Sequence, residues 1–151
     1  MALWSGEEQG LLGSRHWVDR NLAGEANRAA HERFSVYFNI DNGYGPIYGF
    51  YAEGNQAAKR IFDAWLEPFK DLGARRNVIE GIGSTDHVSF IRGGVPGFNP
   101  IQEYTDYDVR THHTNVDFYE RVDPETLKHA AVIYASFLYH AAMRDERIPR
   151  M

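Results

Sequence analysis

The chain has 151 residues, a usual size for one domain, with 43% apolar, 14% aromatic and 25% charged residues. Sixteen Lys and Arg against 21 Asp and Glu give a formal charge of −5, which argues against nucleic acid or an anionic membrane surface as partner. With no cysteine, disulfides and thiolate metal sites are excluded, and His, Asp and Glu are the strong metal ligands left.

No apolar run approaches the ~18 residues of a membrane span, and the first residues lack the basic start and apolar core of a signal peptide. Residues 1–4 read as a very short apolar strand. From Leu11 to Leu22 the apolar residues Leu11, Leu12, Trp17, Val18 and Leu22 fall near helical spacing. "FSVYFNID" (34–41) reads as a strand, "NGYG" (42–45) as a turn and "IYGFYAEG" (47–54) as another strand. Over 55–73 a helix is predicted, with Ala58, Ile61, Phe62, Trp65, Leu66 and Phe69 on one face, an early end or kink at Pro68 and a cap at Gly73. A short strand (77–81), one or two helical turns (86–94) and a loop with strand content (95–102) follow. Residues 103–123 carry little periodicity. The clearest helix spans 123–143, with Asp123 as N-cap, Pro124 at its first position and Leu127, Ala131, Tyr134, Leu138 and Ala141 as the expected buried stripe. Strands alternating with helices predict an α/β layered fold with a mainly parallel sheet, in one domain spanning 1–151.

In an open α/β sheet, ligands gather beyond the carboxyl ends of the strands. Glu7 and Glu8 follow the first predicted strand, Asp41 ends the second, and His112 and His113 sit in an aperiodic loop before the last helix. Taken singly, each has an ordinary reading: a solvated acidic pair, a turn-forming aspartate, an exposed histidine pair. Together they form a set of oxygen and imidazole ligands with one carboxylate to spare as a general base, the make-up of a hydrolytic zinc site. "GIGSTDH" also holds Ser, Asp and His, but these are nearly contiguous and Ser84 lacks the G-x-S-x-G elbow of a hydrolase triad. His16, His31, His129 and His140 fall in or at the ends of predicted helices and read as packing or surface residues.

"LWSGEEQGLLGS", "NIDNG", "GSTDHVSFIRGGVPG" and "HHTNVD", in that order, resemble the co-catalytic di-zinc exopeptidases. These include bacterial leucine-type aminopeptidases, plasma glutamate carboxypeptidases of the carboxypeptidase Q type and, more distantly, glutaminyl cyclases. The "TDHVSFIRGGVPG" stretch and the His-His pair look most like the carboxypeptidase Q side. The resemblance covers about residues 2–145 and implies a three-layer αβα fold acting on short peptides. It matches Glu7 to the general base, Glu8 and His113 to ligands of one zinc, and Asp41 to a ligand of the second. His112 stands where many relatives have a tyrosine that steadies the tetrahedral intermediate. Asp86 and His87 match a block that lines the pocket in relatives, which implies a structural or a substrate-side role. The family pattern also contains a preceding histidine and a metal-bridging aspartate that this sequence does not supply. The resemblance therefore implies the C-terminal half of a zinc exopeptidase, inactive and poorly metallated when isolated, with a homodimer or the missing half covering its open sheet. Relatives are often exported, by a signal that would sit on the missing half. A non-catalytic remnant or interaction module, of which the transferrin receptor ectodomain is a family example, is the alternative.

Overall fold

The computed structural model describes residues 1–151. Five α-helices and four short strands alternate through the chain: α1 (Leu12–Asn21), α2 (Arg28–Arg33), β1 (Tyr37–Phe38), β2 (Ile47–Phe50), α3 (Gln56–Leu66), α4 (His87–Arg92), β3 (Gly97–Phe98), β4 (Pro100–Gln102) and α5 (Pro124–Met143). No helix is long and apolar enough to cross a membrane.

The segment 97–102 carries β3 and β4, each of which forms a two-stranded sheet with one other strand. β1 pairs with β3 in parallel, whereas β2 pairs with β4 antiparallel. A single parallel bridge, Tyr51 to Val78, stands in for the strand expected at 77–81. Two of the three pairings are parallel and one is antiparallel, so the ladders run in both directions. The reason lies in the connection: residues 39–46 between β1 and β2 are too few for the dozen-residue crossover that returns a strand parallel. No strand forms at residues 1–4 either, because no neighbouring strand lies alongside to take up the backbone hydrogen bonds. Trp4 instead anchors this segment, donating from Nε1 to the Tyr37 hydroxyl at 2.9 Å and packing on Trp17 and Phe90.

Strand alternation separates two apolar clusters. Phe38 packs on the larger one, where Phe50, Phe62, Phe98, Ile133 and Phe137 are essentially inaccessible to solvent and α3 and α5 meet the strands. Tyr37 packs on the smaller one with Val18, Leu22, Phe90 and Val95, beneath α1 and α4. In α3 the predicted face is the buried one: Ala58, Phe62, Trp65 and Leu66 are buried and Ile61 and Phe69 pack at the margin. The helix tightens to a 3₁₀ segment at Glu67–Leu72, entered through Pro68 and closed by Gly73 at φ 87°. In α5 the capping prediction holds, with the Asp123 side chain accepting from Glu125 N at 2.8 Å. Of its predicted stripe, Tyr134 and Ala141 pack on the core, but the fully buried positions are Ala130, Ile133 and Phe137, and Leu127 and Leu138 are exposed.

Candidate active site

The Glu7–Glu8 pair sits in a tight turn that leads into α1. Gly10 N and Leu11 N both donate to Glu7 O, at 2.9 and 2.8 Å, and Gly13 N closes the turn onto Ser5 O at 2.9 Å. A Cβ at Gly13 would stand 2.6 Å from Ser5 O, so the glycine is what allows the turn to close. Asp41 lies just beyond β1. His112 and His113 follow a single π-helical turn, Tyr107–Thr111.

These segments meet around one cleft of about 430 Å³, lined by Glu7, Glu8, Asp41, His112 and His113 together with Tyr107, Arg15 and Arg92. The His113 Nε2 lies 3.0 Å from Glu8 Oε1, and the two histidine rings lie 3.9 Å apart between centroids, tilted by 40°. Leu11, Ser84 and His113, three of the four non-glycine residues with positive φ, line this cleft. Such backbone is sparsely populated for L-residues and tends to occur where a site demands it.

The cleft is electrostatically loaded. Burial raises the Glu7 carboxyl above its ordinary value, and the charges of Asp41, Glu8 and Asp86 raise it further against a smaller opposing pull from His113. Asp41 keeps solvent contact, yet the surrounding walls and the charges of Asp86 and Glu8 push it up as well. Tyr107, in the segment without periodicity, is pushed up to about 12 by burial first and then by Asp41, so its phenol stays protonated.

Asp86 and His87 take different places. Asp86 is buried behind the carboxylates, with its Oδ1 lacking any hydrogen-bond partner. His87 does not line the cleft: it is fully buried, 2.5 Å from Thr85 Oγ1 through Nδ1 and 3.2 Å from Glu53 Oε1 through Nε2. Of the two expected roles, its place in the structure is the structural one. The physical reason is a polar network that periodicity could not reveal. Asn39 Nδ2 donates to Thr85 Oγ1 at 2.9 Å and to Asn99 Oδ1 at 3.0 Å, and Asn99 donates to Asn42 Oδ1 at 2.7 Å. With Nε2–H donating to the Glu53 carboxylate, His87 Nδ1 accepts from the Thr85 hydroxyl and every member is satisfied. This network ties the end of β1, the 84–87 turn and β3 together directly behind Asp41.

The donor chemistry fits a zinc ion in part. Two ligands held at ~2.0–2.1 Å on tetrahedral corners stand roughly 3.3 Å apart, close to the observed Glu8–His113 separation. The count falls short: no three His, Asp or Glu side chains converge to hold an ion. Of the residues matched to ligands by the resemblance, Glu8 and His113 lie side by side at 3.0 Å.

A profile of peptidase family M28 matches residues 1–138, and the chain belongs to that family. Among characterised relatives it is 27% identical to carboxypeptidase Q of Mus musculus, over 99% of this chain but 30% of the relative, and 26% identical to aminopeptidase YwaD of Bacillus subtilis, over 93% and 31%. Among solved structures it superimposes on a peptidase M28 precursor from Shewanella amazonensis with a TM-score of 0.81 at 25% identity, covering 97% of this chain and 32% of that one. A zinc aminopeptidase from Bacillus subtilis gives 0.67 at 26% identity, over 91% and 34%. The chain thus spans about a third of the length of the proteins it matches, and its α/β fold and peptidase ancestry follow from these likenesses.

Proposed function

We propose that this chain is the part of a zinc exopeptidase that carries the general base and one half of the metal ligands, and that it hydrolyses terminal peptide bonds only when the remainder of the domain is present. In that context the strands seen here form one margin of a three-layer αβα sheet. Glu8 and His113 hold one zinc and Asp41 contributes to a second. Zinc, when bound, polarises the scissile carbonyl and acidifies a water molecule. Glu7 takes the proton of the attacking water and hands it to the leaving amine, a role suited to a carboxyl raised toward neutral pH by burial and like charges. His112, beside His113, donates to the developing oxyanion. The observation that carries this reading is the convergence of Glu7, Glu8, Asp41 and His113 from three separate segments on one cleft.

The test is Glu7→Gln in a full-length version. Zinc content stays intact while the rate falls by about 10²–10⁴-fold; near-normal turnover removes Glu7 from the mechanism. A non-catalytic interaction module is the second reading, favoured by the lack of a three-ligand cluster. A full-length version that binds two zinc ions yet never cleaves short peptides supports it.

A further inference from the structure

We infer that Asn99 is a positioning residue for Asp41: its buried amide clasps the chain on both sides of that residue and so sets where the Asp41 carboxylate stands in the cleft. This rests on the exopeptidase reading, in which Asp41 is a metal ligand, and adds the residue that aims it. Asp41 and Asn42 both line the cleft. The Asp41 carboxyl makes no hydrogen bond or ion pair within the chain, so its place is inherited from the backbone that carries it.

On one side of Asp41, Asn39 is held at every polar group. Its N–H donates to Phe98 O at 2.8 Å, its carbonyl accepts from the Tyr134 hydroxyl and its Oδ1 accepts from the Tyr37 hydroxyl at 2.6 Å. Its Nδ2 donates to Thr85 Oγ1 at 2.9 Å and to Asn99 Oδ1 at 3.0 Å. Beyond Asn39 the regular bonding stops. Ile40, Asp41 and Asn42 donate no backbone hydrogen bond, and their single accepted one runs from Gly43 N to Asp41 O at 2.9 Å. What holds the other side is Asn42 Oδ1, which accepts from Asn99 Nδ2 at 2.7 Å. Asp41 therefore sits in a short arc with both ends tied to one amide. Asn99 lies between β3 and β4, has no access to solvent and is itself fixed by its carbonyl, which accepts from Tyr51 N at 3.0 Å. The clasp needs an acceptor on one edge and a donor on the other. A primary amide offers both, and neither a carboxylate nor an apolar side chain of that size does. Partners that orient a metal ligand in this way typically change metal affinity by ~10–100-fold when removed.

The test is backbone ¹⁵N relaxation of the metal-free 151-residue chain. The Asp41 N–H should have an order parameter of about 0.85, that of rigid backbone. Asn42→Ala, a change at a half-buried residue, should lower it below about 0.6 at positions 41 and 42 while β1 and β3 keep theirs. Asn42→Asp keeps the accepting oxygen and should restore the parent value. Asn99→Leu should reproduce the loss, and if that variant fails to fold, the two Asn42 variants still decide the matter. A merely structural role would loosen the sheet as a whole or leave Asp41 as it was. An Asp41 already mobile in the parent, unchanged order in Asn42→Ala, a loss spread over the strands, or no recovery in Asn42→Asp overturns the assignment. In a full-length version loaded with two zinc ions, Asn42→Ala should weaken one ion by ~10-fold or more and spare the other; unchanged affinity for both overturns it as well. A full-length version that takes up no zinc removes the exopeptidase reading and leaves the relaxation result standing on its own.

Discussion

The His113 Nε2 and the Glu8 Oε1, brought from opposite ends of the chain, lie 3.0 Å apart with both side chains about three-fifths exposed, at 62% and 61%. An exposed pair of this kind contributes about 0–1 kcal/mol to stability, too little to explain the left-handed backbone at His113. The zinc ligation proposed for this pair leads to the first prediction. Incubated with zinc and dialysed, this chain retains at most one ion. His113→Ala or Glu8→Gln weakens that binding by about 10-fold or more. Elemental analysis and calorimetry measure both quantities, and two retained equivalents per chain would mean that another copy supplies the missing ligands.

Glu7 and Asp41 set up a pH dependence whose sign follows from the raised carboxyls. Each binds its proton more tightly folded than unfolded. Their stabilising contribution is therefore complete below the unfolded values, ~4.3 for Glu and ~3.9 for Asp, and is lost as pH rises through the folded ones. At pH 7, in chelator, Glu7→Gln combined with Asp41→Asn should raise stability by no more than about 1 kcal/mol, since solvent reaches both groups. Below about pH 4 the gain should vanish. Thermal melts at the two pH values check it, and a larger gain in acid than at neutrality would contradict the electrostatic account.

The sequence made the helices legible where local chemistry governs them. The α3 face, the Asp123 cap and the Pro68–Gly73 ending are all decided within a turn or two of chain. The residues lining the cleft were legible by motif. What was hidden depends on distant partners. The α5 stripe is centred on Phe137 rather than Leu138 because Phe137 stacks on Phe50 with centroids 4.3 Å apart, a contact no periodicity encodes. The segment Glu25–Arg33 is helical with few apolar residues to signal its extent. Tyr107 lies in the stretch without periodicity and joins the cleft only through the π-helical turn.

His87 separates a structural role from a substrate-binding one. Its ring bridges Thr85 and Glu53 with no access to solvent. His87→Ala removes both bonds, opens a cavity and leaves the Glu53 Oε1 with only the Ile82 amide at 3.0 Å. A loss of about 2–4 kcal/mol is expected from the combined cavity and unpaired-polar costs. Urea unfolding measures it. A variant of unchanged stability that nonetheless binds peptides poorly would return His87 to the substrate pocket.

The final prediction concerns the face left uncovered. β1 is hydrogen-bonded to β3 on one side only. Along its other side runs a groove of about 760 Å³, walled by Leu3, Trp4, Val36, Phe38, Ile40 and Leu138. Leu3, Ile40 and Leu138 are exposed there, and the outward side of α5 adds Val132, Tyr139 and Met143. Apolar surface of this extent next to an unpaired strand seldom stays bare in water. In the longer relatives there is ample chain to cover it. In a purified sample of this chain the available cover is a second copy, and a two-fold arrangement is the simplest way to bury the same groove on both. Light scattering should give about twice the 17.3 kDa of one chain. Leu138→Glu should shift the population to monomer, because a charge in the middle of the contact has no partner to offset its desolvation. Trp4 and Tyr37 flank the groove, so indole fluorescence should change with dilution in the parent chain and not in the variant. A stable monomer at tens of micromolar, with unchanged fluorescence, would show that the groove is tolerated as open surface.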